Sequence, residues 1–150
     1  MMTKLFATSE SWRGLAQRLL LAFVVFGHGG QKVFGWWGGY GFDGTAGWFA
    51  GLGVPLAVVV LIMLCETVGM IALAAGFMTR FVAAALSVII AGSIVLFHGP
   101  YGFFMNWGGA PRPEGYEYHL LVLALSIPLI FTGAGKASLD GAIARRLRAA

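Results

Sequence analysis

The chain has 150 residues, of which 59% are hydrophobic and only 11% charged, less than half the roughly 25% charged content of soluble domains. With Lys+Arg at 10 and Asp+Glu at 6, and a mean hydropathy of +0.82, there is too little charge to coat a water-facing globule. An ordinary soluble domain, a disordered chain and a nucleic-acid-binding module are thereby excluded, which leaves an integral membrane protein whose first partner is the lipid bilayer. The one cysteine, Cys65, allows no disulfide within the chain.

Crossing a hydrocarbon core of about 30 Å takes about 20 apolar residues in a helix. The predicted fold is an all-α integral membrane four-helix bundle with spans at about 15–34, 54–78, 81–97 and 118–133. The last two are short enough to need tilt or interfacial flanks. Lys4 precedes an apolar stretch as in a signal peptide, but no A-x-A-like cleavage site follows, so the segment reads as an uncleaved first span. Four crossings put both termini on one side. Lys4, Arg13, Arg18, Arg80, Lys136, Arg145, Arg146 and Arg148 share that side, against Lys32 and Arg112 on the other, so both termini are expected to be cytoplasmic. The outer connections, 35–53 and 98–117, carry Trp36, Trp37, Tyr40, Trp48, Tyr101, Trp107 and Tyr116, an aromatic belt at the far interface. In the basic tail 136–150, Ser138 is placed to cap a short amphipathic helix with Leu139, Ile143 and Leu147 opposite Arg145 and Arg148, suited to an anionic leaflet.

The stretch VFGHGGQKVFGWWGG from Val25 aligns without gaps to VLFHGPYGFFMNWGG from Val95, with identities that include His28/His98, Phe34/Phe104 and Trp37/Trp107. Both stretches close an odd-numbered span, so they predict a parallel repeat of two helical hairpins. Glycine-rich, aromatic backbone at that depth would be interfacial or re-entrant and in need of protein or water around it. The pairs Gly35/Gly39, Gly47/Gly51 and Ala72/Gly76 need no more than close helix packing.

An ionisable residue within a span is costly and marks a candidate site. Glu66 lies twelve residues after Val54, about 18 Å along a helix, and must be protonated, paired or hydrated; it is either a proton-exchanging or ligand-binding carboxyl or a neutral acid bonded between helices. His28, Gln31 and Lys32 recur at i, i+3 and i+4 and share a face. His98, Glu117 and His119 gather at the same end, with Asp43 in reach. A plain structural reading pairs Lys32 with Glu117, or lets it snorkel, and leaves the histidines at a wet interface. A quinone or other small apolar ligand would use His28 and Lys32 as donors, Glu66 as proton exchanger, and His98, His119, Glu117, Trp37 and Trp107 as the lining. Haem would need His28 and His98 facing each other and ranks below the quinone; no zinc-type cluster, phosphate loop or dinucleotide fingerprint is present, and no metal site is expected.

Several of these features occur together in one family. Arg18 early in the first span, Gly27 to Lys32 at its outer end, ETVGMIALAAGFMTR from Glu66 to Arg80, Asn106, Glu117 at the fourth span and the closing GAGKASLD from Gly133 to Asp140 resemble the DoxX family of small bacterial four-span membrane proteins. The resemblance covers about 12–141. It implies a multi-pass protein of the bacterial cytoplasmic (inner) membrane, and Lys32, Glu66, Arg80 and Glu117 as the positions that matter, with Arg80 and Arg18 read as structural charges. It also implies a membrane subunit of a quinone-linked redox or oxidative-stress complex, whose redox centre would sit in a protein partner. A non-catalytic anchor or assembly subunit and a small-molecule carrier are the rival readings, and homo-oligomerisation is open in each. Lone Cys65 departs from the CxxC pattern of thiol-handling relatives.

Overall fold

A computed structural model describes residues 5–149; Lys4, counted above with the positive residues, lies outside them. Among the described residues the chain is all-helical, with six helices and no strand. Helix α1 spans Trp12–Phe34, and Ser11 caps it by accepting from Arg13 N at 3.1 Å. Its buried positions, Gly14, Arg18, Leu21, Ala22, Val25 and Gly29, follow the helical period. Phe23, on another face, is exposed.

A short helix α2, Gly41–Gly51, follows. Helix α3 runs from Leu56 to Ala75 and helix α4 from Thr79 to Tyr101; these two are long and apolar enough to cross a membrane. Helix α5, Glu117–Thr132, is apolar but shorter. Helix α6 spans Leu139–Ala149. Helices therefore stand where the four spans are predicted, with moved ends, and two of them are long and apolar enough to cross a membrane. The second stops at Ala75 because Gly76 takes a left-handed φ of 66°, and the third continues past residue 97 through a π turn, Ile94–His98, and a 3₁₀ turn, Gly99–Tyr101.

One core joins α1, α3, α4 and α5: Leu21 and Val25, Met70 and Leu73, Val82 and Leu86, Val122 and Leu129. The α4–α5 pair packs most extensively, bridged by the Ser87 and Ser126 hydroxyls at 2.8 Å. Small polar residues at such a seam let two backbones approach and bond without water. Pro128 within α5 lacks the N–H of a normal helical bond, and beside that gap Gln17 Nε2 donates to the Leu125 carbonyl at 2.6 Å. Outside the core the chain exposes large apolar side chains along its helices, among them Leu61, Val88, Leu96, Leu121 and Phe131, as lipid-facing helices do.

Charged side chains tie the end that holds the termini. Arg18, 1% exposed, donates to the carbonyls of Ala134, Leu73, Ala74, Lys136 and Ala137. Arg80 donates to those of Ala7, Ile130 and Phe131. Asp140, at the start of α6, accepts from Met78 N at 2.8 Å and Thr79 N at 2.9 Å, so a carboxylate from one helix caps the positive end of another. Asp140→Ala is expected to cost about 1–2 kcal/mol, the range for a lost helix cap, read as a lower midpoint of thermal unfolding in detergent, with Asp140→Asn losing less. Ser138 caps α6 through Gly141 N at 3.1 Å, as its position predicts. The helix docks by Asp140, Gly141 and Ala144, which leaves Leu139 and Leu147 exposed.

The two stretches aligned as a repeat fold differently beyond their histidines. In the first, α1 stays helical through Phe34 and a 3₁₀ turn leads to α2. In the second, Pro100 stands where the first has Gly30, the helix ends at Tyr101, Gly102 takes a φ of 83°, and an irregular loop follows to Tyr116. Proline cannot supply the N–H that would carry the helix on.

Candidate functional site

Two helices meet at Glu66, the carboxylate within the apolar run of α3. Around Glu66, α3 widens into a π turn, Cys65–Gly69. Such turns break the normal bonding step and recur at functional sites; here the Thr67 hydroxyl donates to the Met63 carbonyl at 2.7 Å. Gly29 of α1 lies directly against it. A Cβ there would stand 2.7 Å from the Glu66 carbonyl carbon and 2.8 Å from Thr67 Cγ2, so only glycine lets α1 come this close. The neighbouring Gly30 is covered by the Trp36 ring.

That approach sets the pairing. Lys32 Nζ donates to Glu66 Oε2 at 2.6 Å, and the two side chains are 27% and 6% exposed. The expected pairing of Lys32 with Glu117 is corrected. Glu117, at the first position of α5, is turned into the adjoining loop and accepts from Met105 N at 3.1 Å. Lys32 instead lies one helical turn from the Gly29 contact, within reach of α3.

The pair forms one wall of a cavity of about 690 Å³, within the size range of small-molecule sites. His28 and Gln31 line it beside Lys32, as their shared face predicts. Ser93, His98, Tyr118 and His119 line it as well. His119 packs on His98 with ring centroids 4.0 Å apart, and its Nε2 lies 3.3 Å from Ser93 Oγ. His98 Nδ1 donates to the Glu114 carbonyl at 2.9 Å. The His28 ring instead lies 5.1 Å from that of Tyr118. The histidine pair is therefore His98–His119, in place of the His28–His98 pair that a bis-histidine haem would have required. The other walls are apolar: Val25, Phe49, Val58, Ile62, Ile90 and Leu96. Trp48, Phe49 and Phe97 form an aromatic cluster over the far end, with centroids 4.9 to 5.8 Å apart.

Trp37 and Trp107 are 74% and 85% exposed, and neither is among the cavity-lining residues, a role taken by Trp48. Arg18 and Arg80 sit at the opposite end of the molecule, on backbone carbonyls. The sequence reading missed Ser93, Tyr118, Thr45 and both π turns. Tyr118 was signalled by its place between Glu117 and His119; a π turn has no comparable mark in composition or spacing.

In chemical terms the site offers a cation, a carboxylate, three imidazoles, a phenol and hydroxyls around an apolar space. It can orient a ligand by hydrogen bonds and exchange a proton with it at the Glu66 carboxylate. Among known families, the model described as DoxX matches residues 14–99, more than half of the chain. No curated protein and no solved structure matches it.

Proposed function

The chain belongs to the DoxX family of membrane proteins, and from that premise we propose that it is a membrane subunit that binds a lipid-soluble, carbonyl-bearing molecule, a quinone, in the cavity beside Lys32 and Glu66. The observation that carries this reading is the Lys32–Glu66 pair, at 2.6 Å with Glu66 buried, set on a π turn and facing a cavity whose remaining lining is largely apolar with a few imidazoles and hydroxyls. A charge pair placed there only to hold helices together would be weak support for stability, because desolvating two ions offsets most of their attraction. Facing a cavity, it has something to act on.

The residues fit such a ligand. Lys32 and the imidazoles can donate to carbonyl oxygens, the apolar walls match a ring, and Glu66 can take or give a proton at its Oε atoms. When bound, a quinone supplies the two-electron, two-proton chemistry that the side chains lack, and the electron donor is a protein partner in the same membrane. The chain's own part is to exclude water, orient the ring and hold the proton.

In this reading α1, α3, α4 and α5 are four spans of a bacterial inner membrane. Arg13, Arg80, Lys136, Arg145 and Arg146 lie at the end that carries the described termini, linked by contacts such as Arg80 to Ala7 and Arg145 to Glu10. This supports cytoplasmic N- and C-termini. Purification from the native membrane in mild detergent, followed by organic extraction, tests the function: stoichiometric quinone is the expected result. A tight protein partner with no extractable carbonyl compound would overturn it in favour of the anchor.

A further inference from the structure

We propose that the cavity takes its ligand sideways from the bilayer, through a mouth between the first half of α3 and α4, and that the ligand is a lipid with a compact hydrogen-bonding head and a hydrocarbon tail. The head lies against Lys32 and Glu66 while the tail stays in the membrane. This rests on the reading above and adds to it the route and the tail.

The mouth is marked by residues that belong both to the wall and to the outer surface. Val58 on α3 and Val88 and Leu96 on α4 line the cavity and are exposed, Val88 to 73%. Gly92, between the last two, also lines it. Helix packing agrees. The π turn and second half of α3 pack on α4, whereas its first half, Leu56–Leu64, packs on α1 and α2. The two helices therefore part on the side where the cavity lies. Since α3 and α4 are the helices long and apolar enough to cross a membrane, an opening between them faces hydrocarbon. A polar pair at the back of a slot with apolar lips selects an amphipathic molecule, and one dissolved in the bilayer is already concentrated at those lips. The cavity also reaches Gly39, Tyr40 and Glu114 at the loops, so a watery route is the competing one.

Gly92 gives the test. A Cβ there meets nothing within 4 Å, so a side chain can start from this position into open space, and Gly92→Phe is the variant to fill the mouth. Gly47 on α2 is equally open and does not line the cavity, which makes Gly47→Phe the control. Association of decylubiquinone with the protein in nanodiscs is followed by stopped-flow quenching of tryptophan fluorescence, with empty nanodiscs as blank. The tail-less 2,3-dimethoxy-5-methyl-1,4-benzoquinone is measured in parallel. Gly92→Phe is expected to slow decylubiquinone association about tenfold or more and the tail-less quinone less than about twofold, with Gly47→Phe like the wild type. Val88→Phe, on the same lip and without a new indole, is expected to give the same pattern and guards against a folding defect at Gly92. Wild-type association rates in both lip variants, or equal slowing of the two quinones, overturn the lateral route and leave the ligand reading standing. A wild type that binds neither quinone overturns both.

Discussion

Arg18→Met is expected to be the most damaging single substitution in the chain, abolishing accumulation in the membrane or lowering the unfolding midpoint further than any change at the cavity. The guanidinium, 1% exposed, is the donor for five backbone carbonyls on two separate segments. Leu73 and Ala74 belong to the last turn of α3, where the Ala74 carbonyl lacks a helical partner and the Leu73 carbonyl also accepts from Gly76 N at 2.9 Å. Ala134, Lys136 and Ala137 belong to the connection from α5 to α6. Removing the donor takes this bond from the carbonyls of Ala74, Ala134, Lys136 and Ala137, at roughly 1–3 kcal/mol for each that stays out of water, so a loss of about 3 kcal/mol is expected even when the more exposed ones turn to water. Arg18→Lys keeps the charge but has three donors on a point centre in place of a planar fork, and should recover only part of the loss. Thermal unfolding in detergent, followed by circular dichroism, checks the order wild type, Lys, Met. Equal midpoints for Met and wild type would show that the five bonds are dispensable.

The same residues show what a sequence read alone can and cannot supply. The apolar runs and the residues that violate them were legible, because a bilayer makes every interior charge conspicuous: Arg18, Lys32 and Glu66 stand out of their spans for one reason. Their partners were not legible. Lys32 is as compatible in sequence with Glu117 as with Glu66, and the choice is made by Gly29, where a missing side chain brings α1 against the widened turn of α3. That turn is a property of backbone bonding, to which hydrophobic periodicity is blind. Pro100 is a different case. Its effect on the helix end is readable from the residue itself, whereas the identities shared by the two histidine stretches say nothing of how their paths diverge. Trp37 and Trp107 are matched positions of the aligned stretches and suit an aromatic-lined slot in sequence, yet the chain leaves both exposed and places Trp48 of α2 in the lining.

Lys32→Met and Glu66→Gln, singly and together, are expected to separate stability from ligand binding. Lys32→Met strands a carboxylate that is 6% exposed, and breaking a buried pair in this way costs about 3–5 kcal/mol. Glu66→Gln should cost less, because Lys32 is 27% exposed and its long stem can carry the ammonium toward water. In the double variant no charge remains to be compensated, so most of the lost stability should return, a coupling that a double-mutant cycle of unfolding midpoints reads directly. Binding should not return. A hydrogen bond from a charged donor is worth about 1.5–3 kcal/mol, so decylubiquinone affinity should fall roughly ten- to a hundredfold in the two variants that lack Lys32. Recovery of both properties in the double variant would make the pair a replaceable helix contact and would remove the residues on which the site is built. Recovery of stability alone is the signature of a charge pair kept for the molecule it faces.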